Sequence, residues 1–176
     1  MKNKNTKSFD INCRRCPRLA TFLDGVREKH PDYHGLPVAP FGDEKARLLI
    51  VGLAPGMHGA NATGRPFTGD HAGVILYETL YRYGFASVAE SISADDGLML
   101  KDCRITNAVK CLPPANNPVG SEVNECNSYL ENELTALFQG SVILAHGGLS
   151  HNACEKPHGC RQKDNPIGHL AEKKIR

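Results

Sequence analysis

Short unbroken apolar runs alternate along this chain with longer stretches in which apolar residues return every three or four positions. The first unbroken run, Leu48-Leu49-Ile50-Val51, stops at Gly52 and reads as a strand buried on both faces, the pattern of a parallel sheet covered by helices. Two further strands are predicted at residues 104–109 and 141–145. Leu19, Phe22, Leu23 and Val26 follow Cys13-Arg14-Arg15-Cys16-Pro17 at helical spacing, which sets two thiols at a helix start. A second helix is predicted over residues 73–83, with Ile75, Leu76, Leu80 and Tyr83 on its inner face. A third runs over residues 122–138, with Ser121 as N-cap and Val123, Cys126, Leu130, Leu134 and Leu137 turned inward. Strand, helix, strand, helix, strand is the order of an α/β domain. Residues 31–46 read as an ordered connection and 87–102 as a polar surface excursion, and past Ser150 the periodicity dissolves without a further strand.

Composition narrows the class. With 176 residues, 40% of them hydrophobic and 23% charged, the chain falls outside the disordered, collagenous and coiled-coil ranges. Residues 1–176 are expected to form a single domain. No apolar run approaches the ~20 residues that cross a bilayer, and MKNKNTKSFD lacks the apolar stretch of a signal peptide. The expectation is a cytoplasmic protein with no membrane contact and no obligate protein partner. A formal charge of +2 permits nucleic-acid binding without demanding it. Seven cysteines are more informative, because an odd number of thiols in a reducing compartment raises the question of metal ligation rather than disulfides.

Cys13 and Cys16 form a C-x2-C pair, Cys111 follows the second strand, and Cys126 lies on the inner face of a helix. Four thiolates can hold a tetrahedral zinc ion or an iron–sulfur cluster. Cys103 and Cys126 also fit as small buried hydrophobes. Cys154 and Cys160, with His151 and His158, make up a rival metal group. At the end of the first strand, Gly52-Leu53-Ala54-Pro55-Gly56 forms a tight turn at the sheet edge where open α/β sheets bind ligands. It is not a phosphate loop, since no Gly-Lys-Ser/Thr follows. The loop from Gly59 to Asp70 then brings Arg65, Phe67 and Asp70 to a helix start, and the proline-rich loop from Asn107 to Pro118, carrying Asn107 and Asn116, leaves the same edge.

Together CRRCPRL, GLAPGMHGANATGRPFTGD, KCLPPANNP and Cys126 resemble the uracil-DNA glycosylase superfamily, and most closely its type-5 iron–sulfur branch. The likeness covers about residues 10–165. It implies a three-layer α/β/α fold on a central parallel sheet, and a 4Fe–4S cluster on Cys13, Cys16, Cys111 and Cys126. It implies DNA containing uracil or other deaminated bases as the partner and hydrolysis of the N-glycosidic bond as the reaction. Carried over by position, Phe67 stacks on an extruded uracil, and Gly52 and Leu53 line its pocket. Asp70 acts on the attacking water or the sugar cation, and Asn116 assists from the opposite loop. Asn107 resembles the uracil-reading asparagine of the type-4 branch, and Leu53 stands where other branches carry a polar residue, which puts the burden on Asp70. Arg14, Arg15, Arg65 and Lys110 are the expected DNA-binding cations. The family continues past GCRQKD into another strand and a histidine loop. Here residues 166–176 form an atypical tail in which His169 cannot take that role, so the final strand is expected to be missing and the third strand to be an exposed edge. On this ground a catalytically impaired iron–sulfur or zinc DNA-binding module is the alternative.

Overall fold

The computed structural model describes residues 9–158 and 168. Cys160, His169 and the tail on which the missing-strand expectation turns lie outside the described residues. Helix α1 (Pro17–Lys29) has Pro at its first position and Arg27 and Lys29 in its last turn, so a preset φ favours its start and cations meet its negative end. Strand β1 (Phe41–Gly42) is followed by β2 (Leu48–Gly52), a short helix α2 (Ala60–Thr63) and α3 (His71–Arg82). Then come β3 (Cys103–Asn107), a 3-10 turn at Pro114–Asn116, α4 (Gly120–Ala136), β4 (Val142–Ala145) and α5 (Gly148–Glu155).

The sheet order is β1-β3-β2-β4. The three expected strands pair in parallel, with Ile50 between Ile105 and Leu144 in register. The sheet is mixed rather than wholly parallel, because Phe41 and Gly42 pair antiparallel with Ile105 and Arg104 inside a stretch that reads as a plain connection. Alternation along β2 feeds two cores. Leu49 and Val51 join Leu19, Leu23, Leu130 and Leu134 from α1 and α4 on one side. Ile50 joins Leu76, Tyr77 and Leu80 of α3, with Cys103 and Ile105, on the other. The result is helix, sheet, helix.

Four local expectations are corrected. Ile75 and Tyr83 are exposed, and α3 buries Gly73, Leu76, Tyr77 and Leu80 instead. A Cβ on Gly73 would stand 1.8 Å from the Phe67 carbonyl oxygen, so the helix seats itself on its glycine and rotates its inner face accordingly. Helix α4 starts before Ser121, because Glu122 Oε2 accepts from the Val119 N–H at 2.9 Å and caps from within the first turn. Residues 87–102 are no mere excursion, since Leu98 and Leu100 enter the second core. Just beyond Ser150 helix α5 continues to Glu155, with Ala153 and Cys154 buried. Among the described residues β4 is an edge, and Val142 and Leu144 on it are exposed.

Candidate active site

The carboxyl ends of the three parallel strands converge on one cavity of about 310 Å³. Gly52 ends β2 and Asn107 ends β3, paired in register, and His146 follows β4. This is where an open sheet whose connections leave in opposite directions presents its crevice. Leu53, Phe67, Asp70 and Asn116 complete the lining relevant to chemistry, so all six residues expected to act on the base meet in one place.

Absent side chains make room for those present. A Cβ on Gly52 would lie 2.4 Å from Asn107 Oδ1 and 2.8 Å from the Phe67 ring. One on Gly59 would lie 2.7 Å from Asp70 Oδ2. Phe67 and Asn116 both hold positive φ, 52° and 54°, a conformation that costs a non-glycine residue of the order of 1–3 kcal/mol and tends to persist at functional sites. Asp70 is divided in its duties. Its Oδ1 accepts from the Gly73 N–H at 2.9 Å and caps α3, while Oδ2 faces the glycine turn beside Gly56 and Gly59. Helix capping therefore fixes the carboxylate's position and leaves one oxygen for the cavity.

His146 is the cavity residue that the motifs missed. Its ring meets Phe67 edge to face at 5.5 Å, and its N–H donates to the Val51 carbonyl at 2.9 Å, which fixes its backbone to the sheet. The available signal was positional: it directly follows a parallel strand.

Two expected DNA-binding cations are elsewhere. Arg65 is 4% exposed. It donates to Asp96 at 2.7 Å, to Ser91 at 2.9 Å and to the Ala94 carbonyl at 2.8 Å, over the ring of Phe41. Burial works to raise the Asp96 carboxyl, but the N–H groups of Leu98, Ile92 and Ser93 and the Arg65 guanidinium outweigh it and hold it well below the carboxylate range. Lys110 is 1% exposed and bonds Glu133 at 2.6 Å and Thr106 between β3 and α4. A cation buried this deeply, with its ion pair inside the protein, ties loops to the scaffold and does not reach DNA.

Cys13, Cys16, Cys111 and Cys126 line a second, narrow cavity together with Arg15 and Glu125. Burial pushes the Cys16 thiol up to about 11 and the Cys111 and Cys126 thiols upward as well. At Cys13 burial also acts upward, yet hydrogen bonds from Tyr129 and Arg15 bring the net shift down. Among the described residues no three metal-ligating side chains are spaced to grip a single ion. Four thiols around one cavity are nonetheless a donor set that could hold a thiophilic centre. Cys103 and Cys154 are buried in the two cores and do not line it.

A family model described as the Uracil DNA glycosylase superfamily matches residues 39–172. The chain belongs to that superfamily. It is 43% identical over 150 residues to the type-5 uracil-DNA glycosylase of Pyrobaculum aerophilum, covering 83% of this chain and 66% of that protein. To the type-5 enzyme of Thermus thermophilus it is 41% identical over 164 residues, 90% of this chain and 74% of the relative. To that of Mycobacterium leprae it is 47% identical over 145 residues, 78% and 63% respectively. Within the superfamily it therefore sits with the type-5 branch, and it spans about two thirds of the length of these relatives. Among the described residues no helix is long and apolar enough to cross a membrane.

Proposed function

We propose that this chain is a uracil-DNA glycosylase that hydrolyses the N-glycosidic bond of uracil, and of other deaminated bases, to leave an abasic site. The observation that carries this reading is the meeting of Phe67, Asp70, Asn107 and Asn116 in one cavity at the strand ends. A glycosylase must take the base out of the stack, hold its planar face and read its edge. Phe67 offers the face, and the Asn107 amide with the backbone around Gly52 offers the edge. Breaking the bond develops positive charge on the deoxyribose, so a carboxylate beside it stabilises the transition state more than the ground state. Asp70 Oδ2 is that carboxylate, acting on the sugar cation or orienting the water that attacks it, and Asn116 assists from the facing loop. The proton of the attacking water leaves with the solvent or the departing base.

Cys13, Cys16, Cys111 and Cys126 would hold a 4Fe–4S cluster. The donor set supports this, and so does Arg15, which lines the same cavity and has one buried guanidinium nitrogen without a partner. When bound, the cluster supplies a cross-link between the segment before α1 and the loop between β3 and α4; hydrolysis of a glycosidic bond transfers no electrons. Replacing any of the four with alanine lowers iron content and soluble yield together, whereas Cys154→Ala leaves iron content unchanged.

The test is incubation with a uracil-containing oligonucleotide followed by alkaline cleavage of abasic sites. Strand scission at the uracil, absent with the matching thymine oligonucleotide, supports the reading. Binding to the oligonucleotide without scission would favour a non-catalytic module.

A further inference from the structure

Adjacent arginines stand in different surroundings here. Arg14 is 58% exposed and pairs with Asp24 at the surface. The Arg15 side chain is 24% exposed, and its guanidinium is engaged on three sides. Nη1 donates to Glu125 Oε1 at 3.0 Å and to Ser128 Oγ at 3.1 Å on α4, the plane lies 4.4 Å over the Tyr129 ring, and Nε donates to Cys13 Sγ at 3.5 Å. Nη2 is buried and has no partner, in a side chain that lines the four-thiol cavity. Buried donors are nearly always satisfied, and this one belongs to a guanidinium that already meets Cys13 Sγ through Nε and whose side chain lines the four-thiol cavity.

We propose that Arg15 is a positioning and tuning residue for the cluster, donating from Nε and Nη2 into its sulfur shell and offsetting the negative charge of its thiolates. The proposal rests on the reading that Cys13, Cys16, Cys111 and Cys126 hold a 4Fe–4S cluster. It also removes Arg15 from the DNA surface. Glu125 and Ser128 hold the fork in place, and Tyr129 keeps its plane from rotating. Hydrogen bonds to sulfur draw electron density from an iron–sulfur centre and make its reduced form easier to reach. Outer partners of this kind also govern how firmly a metal is retained.

The experiment compares anaerobically purified full-length wild type, Arg15→Gln and Arg15→Lys. Two readouts are taken: bleaching of the visible absorption in air, and the midpoint potential of the one-electron couple by spectroelectrochemistry. Arg15→Gln should bleach about 10-fold faster and shift the midpoint to lower potential. Arg15→Lys, which keeps the charge and loses the fork, should fall between the two. Should Arg15→Gln fail to fold, Arg15→Lys decides alone, and a midpoint below wild type supports the proposal. Iron-loaded variants with unchanged bleaching and unchanged midpoint, whatever their melting temperature, would overturn it and leave Arg15 as a strut between α4 and the amino-terminal segment. A wild type that purifies without iron overturns the four-thiol reading itself, and the tuning role with it.

Discussion

The cavity at the strand ends is kept open by residues without side chains, whereas the cavity among the cysteines is narrow and walled by four thiols, Arg15 and Glu125. Gly52 and Gly59 clear the space that Phe67, Asn107 and Asp70 occupy, and strained backbone at Phe67 and Asn116 aims two of the lining residues. Around the thiols, α1 and α4 pack a continuous apolar core that includes Leu19, Leu23 and Leu130. The first cavity depends on single positions and tolerates little. The second depends on burial and on one committed arginine. Charge follows the same division, because Arg65 and Lys110 are spent on Asp96 and Glu133 inside the scaffold, and among the described residues no arginine or lysine lines the open cavity.

The largest expected effect comes from cutting the scaffold between them. Glu133→Leu strands Lys110, which is 1% exposed, without its partner, and removing one member of a buried pair costs about 3–5 kcal/mol. Chemical denaturation should show that loss, with activity and iron content falling together. Gly52→Ala sharpens the contrast by striking one cavity alone. Displacing Phe67 and Asn107 should lower excision by about 10²-fold, while visible absorption and melting temperature stay near wild type.

Acid should act through the Arg65 anchor. The Asp96 carboxyl is held low in the folded chain, so the unfolded chain binds its proton at higher pH. The stability that Asp96 contributes is complete above about pH 4 and is lost as pH falls toward its folded value. Melting curves from neutral to acid pH should decline in that window, and Asp96→Asn should start lower and decline less. The smallest effect is an expected zero. Arg65→Gln should lower the melting temperature and leave the salt dependence of DNA affinity unchanged, since a buried arginine releases no counterions from DNA.

The sheet and the open cavity were legible because apolar runs ending in glycine mark strand ends, and ligands gather at the ends of parallel strands. Gly52, Phe67, Asp70, Asn107 and Asn116 could be found that way, and His146 by the same rule applied to the third strand. Arg65 and Lys110 could not, because a loop position does not reveal whether a cation meets solvent or a distant carboxylate. Asp96 and Glu133 lie 31 and 23 residues away in sequence. Strand β1 is only two residues long, too short for periodicity, and the face of α3 was set by a steric fit at Gly73 that no apolar count registers.

Asp70→Asn separates the two duties of the divided Asp70 carboxylate. Asparagine caps a helix about as well as aspartate, so α3 and the melting temperature should be preserved. Single-turnover excision from a uracil-containing single strand should fall by roughly 10²–10³-fold, the scale of losing one preorganised charge partner. An Asp70→Asn chain that excises uracil at the wild-type rate would contradict the assignment and leave Asp70 as a helix cap.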